Sequence, residues 1–123
     1  MNEIERYKEI FKGVCNTGAN PDEVDALLNE YDIHDQTYRE WLIQINGGPI
    51  GADWYDSIQE LKNSQVTLKN DWSISGFAIG WDGAGNPIVL QPDQSIATQD
   101  HNFGGNHIIA NNFKTLLIDA TSS

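Results

Sequence analysis

Residues 76 to 93 read GFAIGWDGAGNPIVLQPD, and they raise the first chemical question in the chain. Asp82, Ala84 and Asn86 stand at alternate positions, the spacing of oxygen donors in a calcium loop. Such a loop needs a donor at its middle position and a distal Glu, and this stretch has neither. A phosphate cradle would need its glycines to lead into a helix, whereas Pro87 leads into the strand-like PIVLQ. The glycines supply positive φ and Asp82 a local side-chain bond, which is what a hairpin tip requires. The spacing predicts a turn.

The other reactive residue types give no constellation. His101 and His107 flank a Gly-Gly pair in QDHNFGGNH, and with Asp100 they could bind zinc or relay a proton. A third firm ligand is missing, so structural or surface roles are expected for them. His34-Asp35 resembles the pair of a metal-dependent phosphohydrolase, but that chemistry needs further His and Asp residues in an all-helical fold. Cys15 is the only cysteine, which excludes an intramolecular disulfide and a Cys-rich zinc site. It has no histidine near it in sequence, and its acidic neighbourhood disfavours a thiolate. Ser57, Ser73 and Ser75 lack the flanking glycines of a nucleophile elbow. The expectation is a protein that is not an enzyme and uses no metal or cofactor.

Charge and aromatic residues say more. The chain carries 18 acids against 7 bases, a formal charge of −11 that opposes contact with nucleic acid or anionic membranes. Residues 20 to 35 hold Asp22, Glu23, Asp25, Glu30, Asp32 and Asp35 with no Lys or Arg. This is either a solvated polar face or an electrostatic docking face for a basic protein. Four tryptophans is a high count for 123 residues, and Trp54, Trp72 and Trp81 fall beside turns or strand ends. Core filling explains such residues; so does an aromatic anchor in an interface. The candidate partner-binding set is therefore Asp22, Asp25, Glu30, Asp32, Asp35, Asp53, Trp54, Tyr55, Asp56 and Trp81.

The elements that must position these residues follow from periodicity. At 123 residues and 39% hydrophobic, a single domain spanning 1–123 with one core is expected. One stripe comprises Ile4, Tyr7, Phe11 and Val14, with Ile10 beside it. A second helix opens at NPDE, with Asn20 as cap and Pro21 at the first position, and carries Val24, Leu27, Leu28 and Tyr31. A third begins near Asp35, carries Tyr38, Trp41, Leu42 and Ile45, and stops at NGGP, where Gly47 can turn left-handed. The last, after Asn111-Asn112, carries Phe113, Leu116, Leu117 and Ala120. Between the third and the last, ADWYDSI, SGFAIGW, PIVLQ, QSIATQD and NHIIA read as short strands. The order predicts an α+β domain: an antiparallel meander sheet packed against N-terminal helices and one C-terminal helix. No run is long and apolar enough to span a membrane. The start, MNEIERYKEIFKG, lacks the apolar core of a secretory signal, so a cytoplasmic location is expected.

YREWLIQINGGPIG, WYDSIQEL, GFAIGWDGAGNPIVLQPD and IIANNFKTLL stand in this order along the chain, and together they resemble four motifs of the SUKH superfamily. YREWLIQINGGPIG is similar to its helix ending in Asn-Gly, and WYDSIQEL to its aromatic strand leading into a short Ser-headed helical turn. GFAIGWDGAGNPIVLQPD is similar to its Gly-Phe-led hairpin, and IIANNFKTLL to its closing strand and Phe-Leu helix. The family's usual Leu-Pro before the third helix is replaced by IHDQ. The resemblance covers roughly residues 20 to 118 and implies a bacterial immunity protein that neutralises a cognate polymorphic toxin, often a nuclease, by direct binding. It carries no catalytic residue across. The alternatives are a regulatory scaffold binding cellular partners, and a small hydrolase using Asp100, His101 and His107.

Overall fold

A computed structural model describes residues 2–13, 17–100 and 105–122. Val14, Cys15 and His101 lie outside the described residues. Among the described residues, five helices and six strands follow in the order α1 (Glu3–Ile10), α2 (Pro21–Glu30), α3 (Gln36–Gln44), β1 (Gly48–Ile50), β2 (Asp53–Tyr55), α4 (Ile58–Asp71), β3 (Phe77–Trp81), β4 (Pro87–Leu90), β5 (Ile96–Gln99), β6 (Asn106–Ala110) and α5 (Phe113–Thr121). The strands form one antiparallel sheet in the order β1-β2-β3-β4-β5-β6, the expected meander. It begins at residue 48, within the segment read only as the stop of the third helix.

The predicted Asn20 cap is in place, and Asp35 and Asn112 cap α3 and α5. Asn20 Oδ1 accepts from the Asp22 and Glu23 amides at 2.8 and 3.4 Å, Asp35 accepts from Tyr38 N at 3.0 Å, and Asn112 accepts from Thr115 N at 2.8 Å. These bonds satisfy helix-end donors that have no intrahelical partner. The apolar stripes converge on one core. Tyr7, Tyr38, Trp41, Tyr55, Phe77 and Phe113 meet there, with Trp41 and Phe113 fully buried and their ring centroids 5.6 Å apart. The stripes fray at their ends: Ile10 and Tyr31 are exposed.

One element differs from expectation. The stretch read as a short Ser-headed helical turn is α4, a 14-residue helix and the longest among the described residues. Its inward positions are Leu61, Ser64, Gln65 and Leu68, so half of its buried face is polar and the apolar period is broken. Polar residues survive there because each has a partner. Gln65 Nε2 donates to Ala78 O at 2.7 Å and its Oε1 accepts from Ala78 N at 2.7 Å. The amide thus pairs with β3 where β2 has ended.

α4 also explains why β4, and β3 up to Gly80, are buried at successive residues rather than alternately. Phe77, Leu90 and Ile96 face the main core, while the next row, Ala78, Val89 and Ala97, packs with Leu68 and Ile74 in a second cluster. Successive strand residues point to opposite faces, so helices cover both sides of the central sheet. The small side chains Ala78 and Ala97 let α4 approach closely.

Candidate functional site

The strand β2 and the first half of α4 are locked together by the NGG segment. Asn46 (φ 60°) and Gly47 (φ 89°) end α3 in left-handed conformations. A Cβ on Gly47 would lie 2.7 Å from Ser57 N, so only glycine fits against the β2–α4 junction. Asn46 Oδ1 accepts from Ile58 N at 2.8 Å, and Ser57 with Glu60 forms a capping box. The sequence showed the stop signal but not that its Asn side chain serves the next helix.

This junction fixes a groove of about 540 Å³ between α4 and the β2–β3 pair. Trp54 and Trp81 are cross-strand neighbours on its sheet side, and Asp56, Glu60, Asn63 and Ser64 also line it. Trp54 is 46% exposed while its strand neighbour Tyr55 is 1% exposed, because successive strand residues face opposite sides of the sheet. Trp81 Nε1 donates to Ser64 Oγ at 3.1 Å, and the Ser64 hydroxyl donates to the Asp56 carboxylate. Burial pushes the Asp56 carboxyl up to about 6, and the nearby Glu60 charge adds to the rise, against the opposing hydrogen bond from Ser64. Asp53 is raised too, by burial first and then by the charge of Asp82.

A second depression of about 320 Å³ lies between α2 and α4, lined by Glu23, Ala26, Leu27, Glu30, Ile58, Gln59 and Lys62. Gln59 lines both depressions, so they adjoin across the start of α4. The acid-bearing helix and the tryptophan pair therefore belong to one continuous face.

Three of the ten candidate residues are placed differently from expectation. Tyr55 is a core residue, ringed by Phe113 at 6.3 Å, and offers no surface anchor. Asp35 is buried as the α3 cap, and Asp56, 3% exposed, forms the groove floor rather than its rim. Asp25 receives two bonds from Arg39, at 2.6 and 3.1 Å, and that hydrogen bonding holds its carboxyl below the usual range. Its charge is largely committed within the chain. Asp22, Glu30 and Asp32 are exposed, with Asp32 bonded to His34 at 2.6 Å. Asp53 is half-buried and Trp81 partly so.

The DGAGN loop is a turn. Asp82 Oδ1 accepts from the Ala84 and Asn86 amides, both at 2.9 Å, and its Oδ2 accepts from Asn86 Nδ2 at 3.1 Å. Both carboxylate oxygens are used to close the hairpin. His107 stands on β6 opposite Thr98 and is exposed. Among the described residues, no three His, Cys, Asp or Glu side chains converge on one point. No helix among them is long and apolar enough to cross a membrane. A scan against protein-family models finds no match to this chain, and a search of curated proteins finds none either.

Proposed function

We propose that this domain is a non-catalytic immunity protein, which binds a basic toxin domain and neutralises it by direct contact. The observation that carries the reading is the continuous face of α2, α4 and the β2–β3 pair. It sets exposed acids beside an exposed tryptophan and a carboxylate-floored groove. Charge steers encounter and the aromatic anchor slows departure, the division of labour found in fast, tight complexes. The SUKH-like order of motifs supports the same reading, and the meander sheet with flanking helices agrees with the fold that resemblance implies.

A nuclease toxin has a cationic substrate cleft, and the field that attracts the nucleic-acid polyanion also attracts an acidic inhibitor. The partner to test is a toxin encoded beside this gene. Co-expression should rescue growth of cells producing that toxin, and the purified proteins should form a stable complex. A folded protein that neither rescues nor binds would overturn the reading in favour of a scaffold for cellular partners.

A further inference from the structure

The chemistry of the groove between α4 and the β2–β3 pair narrows what can enter it. Its sheet side is aromatic, from Trp54 and Trp81, and its acids are the buried Asp56 at the floor and the exposed Glu60, which also caps α4 through Ser57. Among the described residues, none of the side chains lining it is basic. An anion would meet two carboxylates and be repelled. A purely apolar group would strip water from those carboxylates without replacing their hydrogen bonds. A cation with a flat face satisfies both walls.

We propose that this groove is an arginine pocket, which takes one arginine side chain of the protein partner. A guanidinium stacks on an indole and donates in its own plane, so it can use the tryptophans and the carboxylates together. A lysine ammonium is a hydrated point charge and uses them less well. The volume of about 540 Å³ admits such a side chain with its flanking backbone, since ordinary ligand pockets start at about 300 Å³. The internal bonds leave the pocket preformed. Trp81 is tethered through its ring nitrogen to Ser64, and Ser64 to Asp56, so the wall and the floor hold their spacing without a ligand. Burial also keeps the Asp56 carboxylate poorly solvated, and an incoming guanidinium supplies the charge partner it lacks.

This inference rests on the docking face described above and names the chemical group recognised there. Its test uses a blocked Gly-Arg-Gly tripeptide titrated into nitrogen-15-labelled full-length protein, with the indole N–H resonances as readout. The Trp54 and Trp81 resonances should shift and saturate, while that of the fully buried Trp41 should not. A citrulline peptide, which keeps the shape and loses the charge, should bind about tenfold more weakly. Glu60→Gln, Asp56→Asn and Trp54→Ala should each weaken arginine binding about fivefold, with the lysine peptide intermediate. Trp54→Ala removes a half-exposed side chain, so it remains informative if a floor variant unfolds. Equal binding of arginine and citrulline, no saturable shift, or wild-type binding by Trp54→Ala would each overturn the proposal. A toxin complex that forms although the arginine peptide does not bind would remove the pocket and leave the docking face standing. An arginine peptide that binds, with no toxin neutralised, would do the reverse.

Discussion

Asp56 shows how one residue can be poised rather than merely placed. Its carboxyl is raised from 3.8 to about 6 chiefly by burial, so the folded protein binds the proton more tightly than the unfolded chain does. Between those two values the folded state holds more protons, and stability falls as pH rises through the window. The charged form is then a standing cost at neutral pH, of the order of 2 kcal/mol once solvent screening is allowed for. Asp56→Asn keeps an acceptor for Ser64 and removes the titration. The stability of the variant relative to wild type should therefore rise by about 2 kcal/mol between about pH 4 and about pH 7, measured by urea unfolding. Asp53 is raised in the same direction, and it cancels because both proteins retain it. Asp25 and Asp93 are lowered by their hydrogen bonds with Arg39 and Ser95, so their contributions are lost only as pH falls below the ordinary Asp range. A difference that stays flat from pH 4 to 7 would show that Asp56 is not held in its raised state.

At the scale of elements, the chain depends on side chains that act as substitutes for backbone. Gln65 completes β3 beyond the end of β2, bonding both the amide and the carbonyl of Ala78. Gln65→Leu keeps the volume and leaves both buried groups without partners, which should cost about 2–4 kcal/mol. A lowered urea midpoint at unchanged m would register it, and a loss below about 0.5 kcal/mol would remove the substitute-strand role. Asn46 joins α3 to α4 in the same manner. Asn46→Gly keeps the positive φ and loses the bond to Ile58 N, at about 1 kcal/mol, whereas Asn46→Ala also strains the backbone and should cost more. These two residues also mark where sequence reading succeeds and where it stops. α2, α3 and α5 were legible because apolar residues recur at helical spacing behind a capping Asn or Asp. The hairpin was legible because Asp82 and its glycines have only a turn to make. α4 was not, since Ser64 and Gln65 occupy inward positions that periodicity assigns to apolar side chains. Its cap at Ser57 was visible; its length depended on tertiary partners 13 to 17 residues away, Ala78 and Trp81. The candidate site was half legible for the same reason. Composition finds acids and tryptophans, but only the register separates exposed Trp54 from buried Tyr55.

For the whole molecule, the question is whether a charge of −11 is only solubility or also a steering field. The structure narrows which acids can steer. Asp35 and Asp56 are buried and Asp25 is bonded to Arg39, which leaves Asp22, Glu23 and Glu30 as the exposed acids that α2 contributes to the docking face, beside Glu60 on α4. If that face meets a basic toxin, association should slow markedly between low and physiological salt. The screening length shrinks from about 30 Å at 0.01 M to about 8 Å at 0.15 M, which cuts attraction before contact but little at contact. Reversing Asp22, Glu23 and Glu30 to Lys should slow association strongly and change dissociation little, and should flatten the salt dependence. All three side chains are exposed, so the variant should fold. Trp54→Ala should give the opposite signature: association close to wild type and dissociation faster, because a half-buried aromatic acts only once the surfaces touch. Stopped-flow mixing with the neighbouring toxin, at several salt concentrations, separates the two. Reversal of the α2 acids without any change in association rate would place steering elsewhere, and the charge of this helix would then serve solubility alone.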